Sequence, residues 1–351
     1  MRVLFIVPYP TDEAPSQRFR FEQYYNELRA SQVTFDVQSF IDHKTWSILY
    51  KKGYQLAKVA GIMRGFLRRI ILMFRVMRYD YVFIHREAAP LGPPVFEWII
   101  AVVLRKKVIY DFDDAIWMPN VSDSNRFASR LKWYSKVSSI CKWSYKVSCG
   151  NEFLAAYARK YNQKIVVIPT FVNTDSYKPG INQNEKITIG WTGSLSTNKY
   201  LEDIDNILCE VQRATDCHII CISNKPPSLT AKFEFILWDK HKEIVDLQRF
   251  DIGIMPLTDD EWSKGKCGFK LIQYLSVGIP AVASPVGVNK EIITNDINGY
   301  LCNNRTDWIG RLIELCQNTM RRKEMGKAGR AVIVSRYSKQ ALREIFFQLF
   351  S

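Results

Sequence analysis

The 351-residue chain lacks any apolar run approaching the ~20 residues that a bilayer-spanning helix needs. Its most apolar segment, Pro93–Leu104, is already broken by Glu97, so no membrane span is expected. The eight cysteines include no Cys-x-x-Cys pair, and the four histidines are scattered. A zinc site or disulfide framework is therefore not expected, and the cysteines read as buried thiols of a cytosolic protein. Glycine and proline are modest at 17 and 14, against 47% hydrophobic and 24% charged residues, which excludes collagen-like repeats and disorder. The opening Met1–Pro8 is too short in apolar residues for a signal peptide and reads as a first strand stopped by Pro8.

Acid is scarce where base is dense. Residues 1–175 carry 26 Lys and Arg against 15 Asp and Glu, a net of +11, while 176–351 carry 23 against 20, a net of +3. That asymmetry predicts an anionic partner for the first half alone: nucleic acid, an anionic membrane surface or a phosphorylated substrate. Residues 51–78 hold eight basic groups and no acid, and 126–146 hold six and none, with Trp133, Tyr134, Trp143 and Tyr145 interleaved. Helical spacing gathers Arg64, Arg68, Arg75 and Arg78 on one side and leaves Phe66, Leu67, Ile70, Met73, Phe74 and Met77 largely on the other. Basic amphipathic helices with interfacial aromatics suit an anionic membrane surface, against an ordinary core helix with a solvated face. No nucleic-acid recognition motif or RNA-binding aromatic platform is present, so no nucleic-acid partner is expected.

Short β-rich runs alternate with helix-length stretches. Strands are predicted at Val3–Val7, Thr34–Val37, Tyr81–Ile84, Lys107–Tyr110, Lys146–Cys149 and Ile165–Ile168, then Ile187–Trp191, His218–Ile222, Ile252–Met255, Ala281–Ala283 and Gly299–Leu301. Continuous apolar strands separated by helices predict an α/β protein with parallel sheets covered on both faces. The polar stretch 173–186 with Pro179-Gly180 divides the chain, giving domains at 1–175 and 176–334, and 335–351 as a terminal helix crossing back. Ligands of such sheets sit where strands end, so the segments after each strand carry the chemistry.

Two of these segments stand out in the second half. Ile187–Tyr200 reads as strand, glycine turn at Gly193-Ser194 and helix start, with Lys199 as a mobile cation beside free backbone N–H groups. Trp262–Asn289 places Lys264, Lys266 and Lys270 around Gly268 before an amphipathic helix, with Phe269 on its core side and Lys270 and Gln273 together on the other. The strand Ala281–Ala283 follows, then a second glycine loop with Val288 and an N-cap at Asn289. A diphosphate fits such a convergence of helix N-termini and lysines.

This block resembles the donor-binding half of the retaining glycosyltransferases of family 4, which are GT-B enzymes with two facing Rossmann-like domains and a cleft between them. Gly193, Lys199, Gly278, Pro280 and the strand running to Ser284 match that pattern by position. The departures are Ser194 where the family often has Arg, and Gly265 and Gln273 in place of its Glu pair. The resemblance implies a UDP- or GDP-sugar donor, with Lys199 and Lys270 on its diphosphate and Gly193, Ser194, Lys266, Gly268, Phe269, Gln273, Val288 and Asn289 lining its site. It implies neither a metal nor any other cofactor.

In the first half, Val108–Trp117 ends a strand in three acids, Asp111, Asp113 and Asp114. Buried carboxylates are costly unless paired or liganded, so this loop has three readings. It could be an Asp-x-Asp metal site, it resembles the nucleophile loop of haloacid-dehalogenase phosphatases through Asp111, or it corresponds to the family 4 loop with Asp113 at a position often His. The last makes Asp113 the acceptor-side catalytic residue and Asp114 its orienting neighbour. Arg18 and Arg20 open a helix after the first strand, and Arg86-Glu87 closes another, all suited to gripping a phosphorylated acceptor. The expectation is a metal-independent retaining glycosyltransferase, peripheral on the cytoplasmic face of the plasma membrane, acting on a polyprenyl-diphosphate-linked saccharide in cell-surface polysaccharide or glycan assembly. A phosphatase using Asp111, or a non-catalytic nucleotide-sugar or nucleic-acid binding protein, are the alternatives.

Overall fold

The computed structural model describes residues 1–119, 132–180 and 184–351, and the chain groups into two units, Met1–Thr170 with Arg343–Ser351, and Phe171–Leu342. In the first, β1 (Arg2–Val7), β2 (Thr34–Ser39), β3 (Tyr81–His85), β4 (Lys107–Phe112), β5 (Lys146–Cys149) and β6 (Ile165–Val167) form a parallel sheet ordered β2-β1-β3-β4-β5-β6. Val3 sits opposite Phe35 on one side and Tyr81 on the other. Every residue of β3 is buried, as expected of a strand covered by helices on both faces.

The second unit repeats the plan with β7 (Thr188–Thr192), β8 (His218–Ser223), β9 (Glu234–Leu237), β10 (Ile252–Met255), β11 (Ala281–Ala283) and β12 (Gly299–Leu301), ordered β12-β11-β10-β7-β8-β9 and again parallel. The predicted strands all occur, with ends shifted by at most two residues. The sequence reading missed β9, a half-buried edge strand whose Leu237 faces solvent. The α/β fold of two doubly wound parallel sheets is thus established. The direction of winding reverses between β1 and β3 in one unit and between β7 and β10 in the other, and the loops leaving those strands are where ligands settle in such sheets.

The C-terminal stretch divides differently from expectation. The helix Thr319–Arg336 runs through Ser335, and Val172 pairs with Tyr337 and Lys339 through backbone hydrogen bonds, so 335–342 belong to the second unit. Arg343–Ser351 belongs to the first, where Phe346 stacks on Tyr24 at 4.5 Å and Phe350 packs against Tyr81.

The helix Gln55–Met73 turns unexpected residues inward. Its buried positions are Gly61, Gly65, Arg69 and Leu72, while Leu67, Ile70 and the following Phe74 are exposed. The glycines permit close approach: a Cβ on Gly61 would lie 2.4 Å from the Thr45 hydroxyl, and one on Gly65 2.7 Å from the Phe40 ring. Arg69 donates to the carbonyls of Ala88, Gln38 and Val7 at 2.7, 2.9 and 2.9 Å. Burial pulls its pKa down to about 9, against the pull of Glu97 in the other direction. Among the described residues no helix is long and apolar enough to cross a membrane. Of the basic segment 126–146, residues 126–131 lie outside the described residues.

Candidate functional site

The switch point of the second unit is built on a tight turn. Gly193 leaves β7 with its N–H on the Ile222 carbonyl, and a Cβ there would lie 2.2 Å from the Trp191 ring. Only glycine lets the chain pass over that buried indole. Ser194 N–H then donates to the Thr197 hydroxyl, and Leu195 N–H to Asn224 beyond β8. Asn198 is buried and donates to the Lys225 carbonyl, so the turns after β7 and β8 are held together. Tyr200 reaches Ser263 in the segment after β10 at 3.1 Å.

Gly268 takes a left-handed conformation, φ 66°, at the start of the helix Phe269–Ser276, and a side chain there would strike Ile292. One residue into that helix, the Lys270 ammonium lies 5.7 Å from the centre of the same Trp191 ring that underlies Gly193. Lys270, Gly193 and the helix start are therefore together. Lys199 instead lies over Tyr200 and Lys266 over Trp262, each at 4.8 Å.

Two expected contributors are placed otherwise. Asn289 is not an N-cap: Val288 holds that position, and Asn289 is buried with its amide donating to the Ser284 carbonyl. Gln273 is only 3% exposed, and its amide donates to the Tyr177 hydroxyl, which donates in turn to Glu243 at 2.9 Å. Trp238 donates to the other oxygen of Glu243. Tyr177 and Glu243 were not anticipated, since their meeting with Gln273 joins positions 96 and 66 residues apart and leaves no local pattern.

In the first unit the acids at the end of β4 and just beyond it are each paired. Asp111 is 1% exposed, bonded to Arg20 through both oxygens and to His85 Nδ1 at 2.8 Å. Burial alone would raise its pKa, but Arg20 and then His85 hold it below the usual carboxylate range. Arg20 also donates to the Ile168 carbonyl and Ser148. These facts correct two expectations. Arg20 is a buried counter-ion, not an acceptor grip, and Asp111 has neither the access nor the freedom of a phosphatase nucleophile.

Arg86, at φ 58°, donates to Asp113 at 2.7 Å and Asp114 at 3.0 Å. Burial opposes its charge, yet the two carboxylates hold its pKa above the ordinary value. Glu87 pairs with the buried Lys136 at 2.6 Å, and Arg18 lies 3.5 Å from Asp12 and over the Phe19 ring. The three acids are thus spent on cations, and among the described residues no three His, Cys, Asp or Glu side chains group as metal ligands.

Residues 186–318 match the model of the family described as glycosyl transferases group 1. No curated relative matches the chain by sequence. Among solved structures, sucrose-phosphate synthase from Thermosynechococcus elongatus is similar over 99% of this chain and 98% of its own, with a TM-score of 0.69 at 12% identity. A glycosyltransferase from Rickettsia africae gives 0.66 at 14%, covering 99% and 97%. HepE from Anabaena, in complex with UDP-glucose, gives 0.65 at 13%, covering 99% and 100%. At such identities the likeness shows the fold, which is that of the GT-B glycosyltransferases.

Proposed function

We propose that the chain is a retaining glycosyltransferase of the family 4 kind, moving a sugar from a nucleotide diphosphate sugar, UDP- or GDP-linked, to a polyprenyl-diphosphate-linked saccharide. The supporting observation is the placement of Lys270 and the start of its helix beside the Gly193 turn, at the β7–β10 switch point and within the family-matched segment. A cation and backbone N–H groups there would stabilise the charge that develops on a departing diphosphate. HepE binding UDP-glucose agrees with such a donor. On the first unit, Arg86 with Asp113 and Asp114 is the acceptor end, and no metal is needed. The protein works at the inner face of the plasma membrane in cell-surface polysaccharide or glycan assembly.

The test is a thermal-shift panel of UDP, GDP, ADP, CDP and their sugars, with and without magnesium. A ligand at 100 times its Kd adds about 2.7 kcal/mol to the folded state. One diphosphate standing out without metal is the expected result. A flat panel removes the donor site, and a shift that requires magnesium removes metal independence.

A further inference from the structure

The first unit exposes apolar surface that its own fold does not use. Among the described residues, fourteen of the twenty-three exposed large apolar side chains fall between Tyr50 and Val103. On the helix Gln55–Met73 they recur at Leu56, Val59, Met63, Leu67 and Ile70, and Phe74 extends the stripe at 85% exposure. Such a stripe normally faces the core. Here Gly61, Gly65 and Arg69 occupy the inward face, which leaves the stripe in solvent. A groove of about 750 Å³ opens beside it, lined by Phe66, Ile70, Phe74, Leu91, Phe96 and their neighbours, with no charged or hydrogen-bonding side chain in its wall.

The fringe carries charge of one sign. Lys51, Lys52, Arg75, Arg78 and Arg105 are exposed, and no acid occurs from 51 to 79. A second copy docking face to face would set these cations against their equivalents. An anionic leaflet instead offers hydrocarbon to the groove and phosphate to the fringe. We propose that this face docks on an anionic bilayer, the groove taking one lipid hydrocarbon chain while the flanking Lys and Arg side chains rest on headgroup phosphates. It deepens the membrane reading above, on which it rests for its biological setting.

The experiment is co-sedimentation of the full chain with phosphatidylcholine vesicles, with and without phosphatidylglycerol. Binding should be at least about tenfold tighter with the anionic lipid, and Arg75→Gln with Arg78→Gln should remove most of that difference. Leu67→Gln, Ile70→Gln and Phe74→Gln together alter only exposed side chains, so the fold should survive while binding to anionic vesicles falls at least about tenfold. Brominated acyl chains should quench fluorescence in the parent and less in Trp98→Phe. Unchanged binding by the triple variant overturns the proposal, as does a lipid-free dimer that the triple variant dissolves. Nucleotide thermal shifts on the same proteins keep the two readings apart. Vesicle binding without any nucleotide shift sinks the transferase and supports the docking face, and a nucleotide shift without vesicle binding does the reverse.

Discussion

At the carboxyl end of the first sheet Arg20 meets Asp111, Arg86 meets Asp113 and Asp114, and Lys136 meets Glu87, whereas at that of the second Lys199, Lys266 and Lys270 rest over Tyr200, Trp262 and Trp191. The same fold thus treats cations in two ways. A buried ion pair is costly to break, because removing one partner strands the other charge in a poor solvent. A cation–π contact at a partly exposed site contributes only about 0.5–1 kcal/mol, less than the cost of breaking such a buried pair. The first end sets its cations against carboxylates, and the second sets these three lysines over aromatic faces.

The strongest way to break this contrast is Asp111→Asn, which leaves Arg20 buried without its counter-ion. It should cost about 3–5 kcal/mol in urea unfolding. Near-parental stability would mean that the first end is no more committed than the second. Next, Lys270→Ala should lower sugar transfer about 100-fold or more, as loss of one stabilising donor does elsewhere, with little change in melting temperature. If instead the variant melts early, Lys270 is a structural cation like Arg20. Gly193→Ala should cost about 1–3 kcal/mol, because its methyl meets the Trp191 ring, and should weaken nucleotide binding through the displaced turn.

The smallest effect concerns pH. Glu22, whose carboxylate accepts from Asp12 N–H and the Gln17 amide in the loop region after β1, has its pKa raised by burial to about 6 from 4.5. The folded state therefore holds the proton longer than the unfolded one, and stability falls as pH rises from 4.5 toward 6. Asp111 has the opposite sign: its contribution is complete above the ordinary carboxylate range and is lost only in stronger acid. Melting curves of Glu22→Gln against the parent across pH 4.5 to 6 should show the parent losing stability while the variant does not. Parallel curves would remove Glu22 from the comparison.

Most strands were legible because buried parallel strands are continuous apolar runs, and β3 and β4 display that in sequence. β9 was not, since its half-buried edge carries no such run. The Gly193 turn and the Lys270 helix could be read because each lies within one short segment whose glycines and lysine serve local geometry. Gly61 and Gly65, four apart, mark the close approach of this helix to Thr45 and Phe40, a signal that the basic and apolar periodicity of the segment overshadowed.

Local periodicity and loop composition alone determined that this chain makes two series of parallel strands and concentrates polar chemistry after them. Partnership was decided only in three dimensions. Arg20 and Asp111 are 91 residues apart, and Arg69 and Val7 are 62 apart. Which cation becomes a buried counter-ion and which stays over an aromatic face depends on sheet order and on the depth of each loop. Charge in a sequence shows neither its distance to the opposite sign nor the water around it, and those two quantities set its energy.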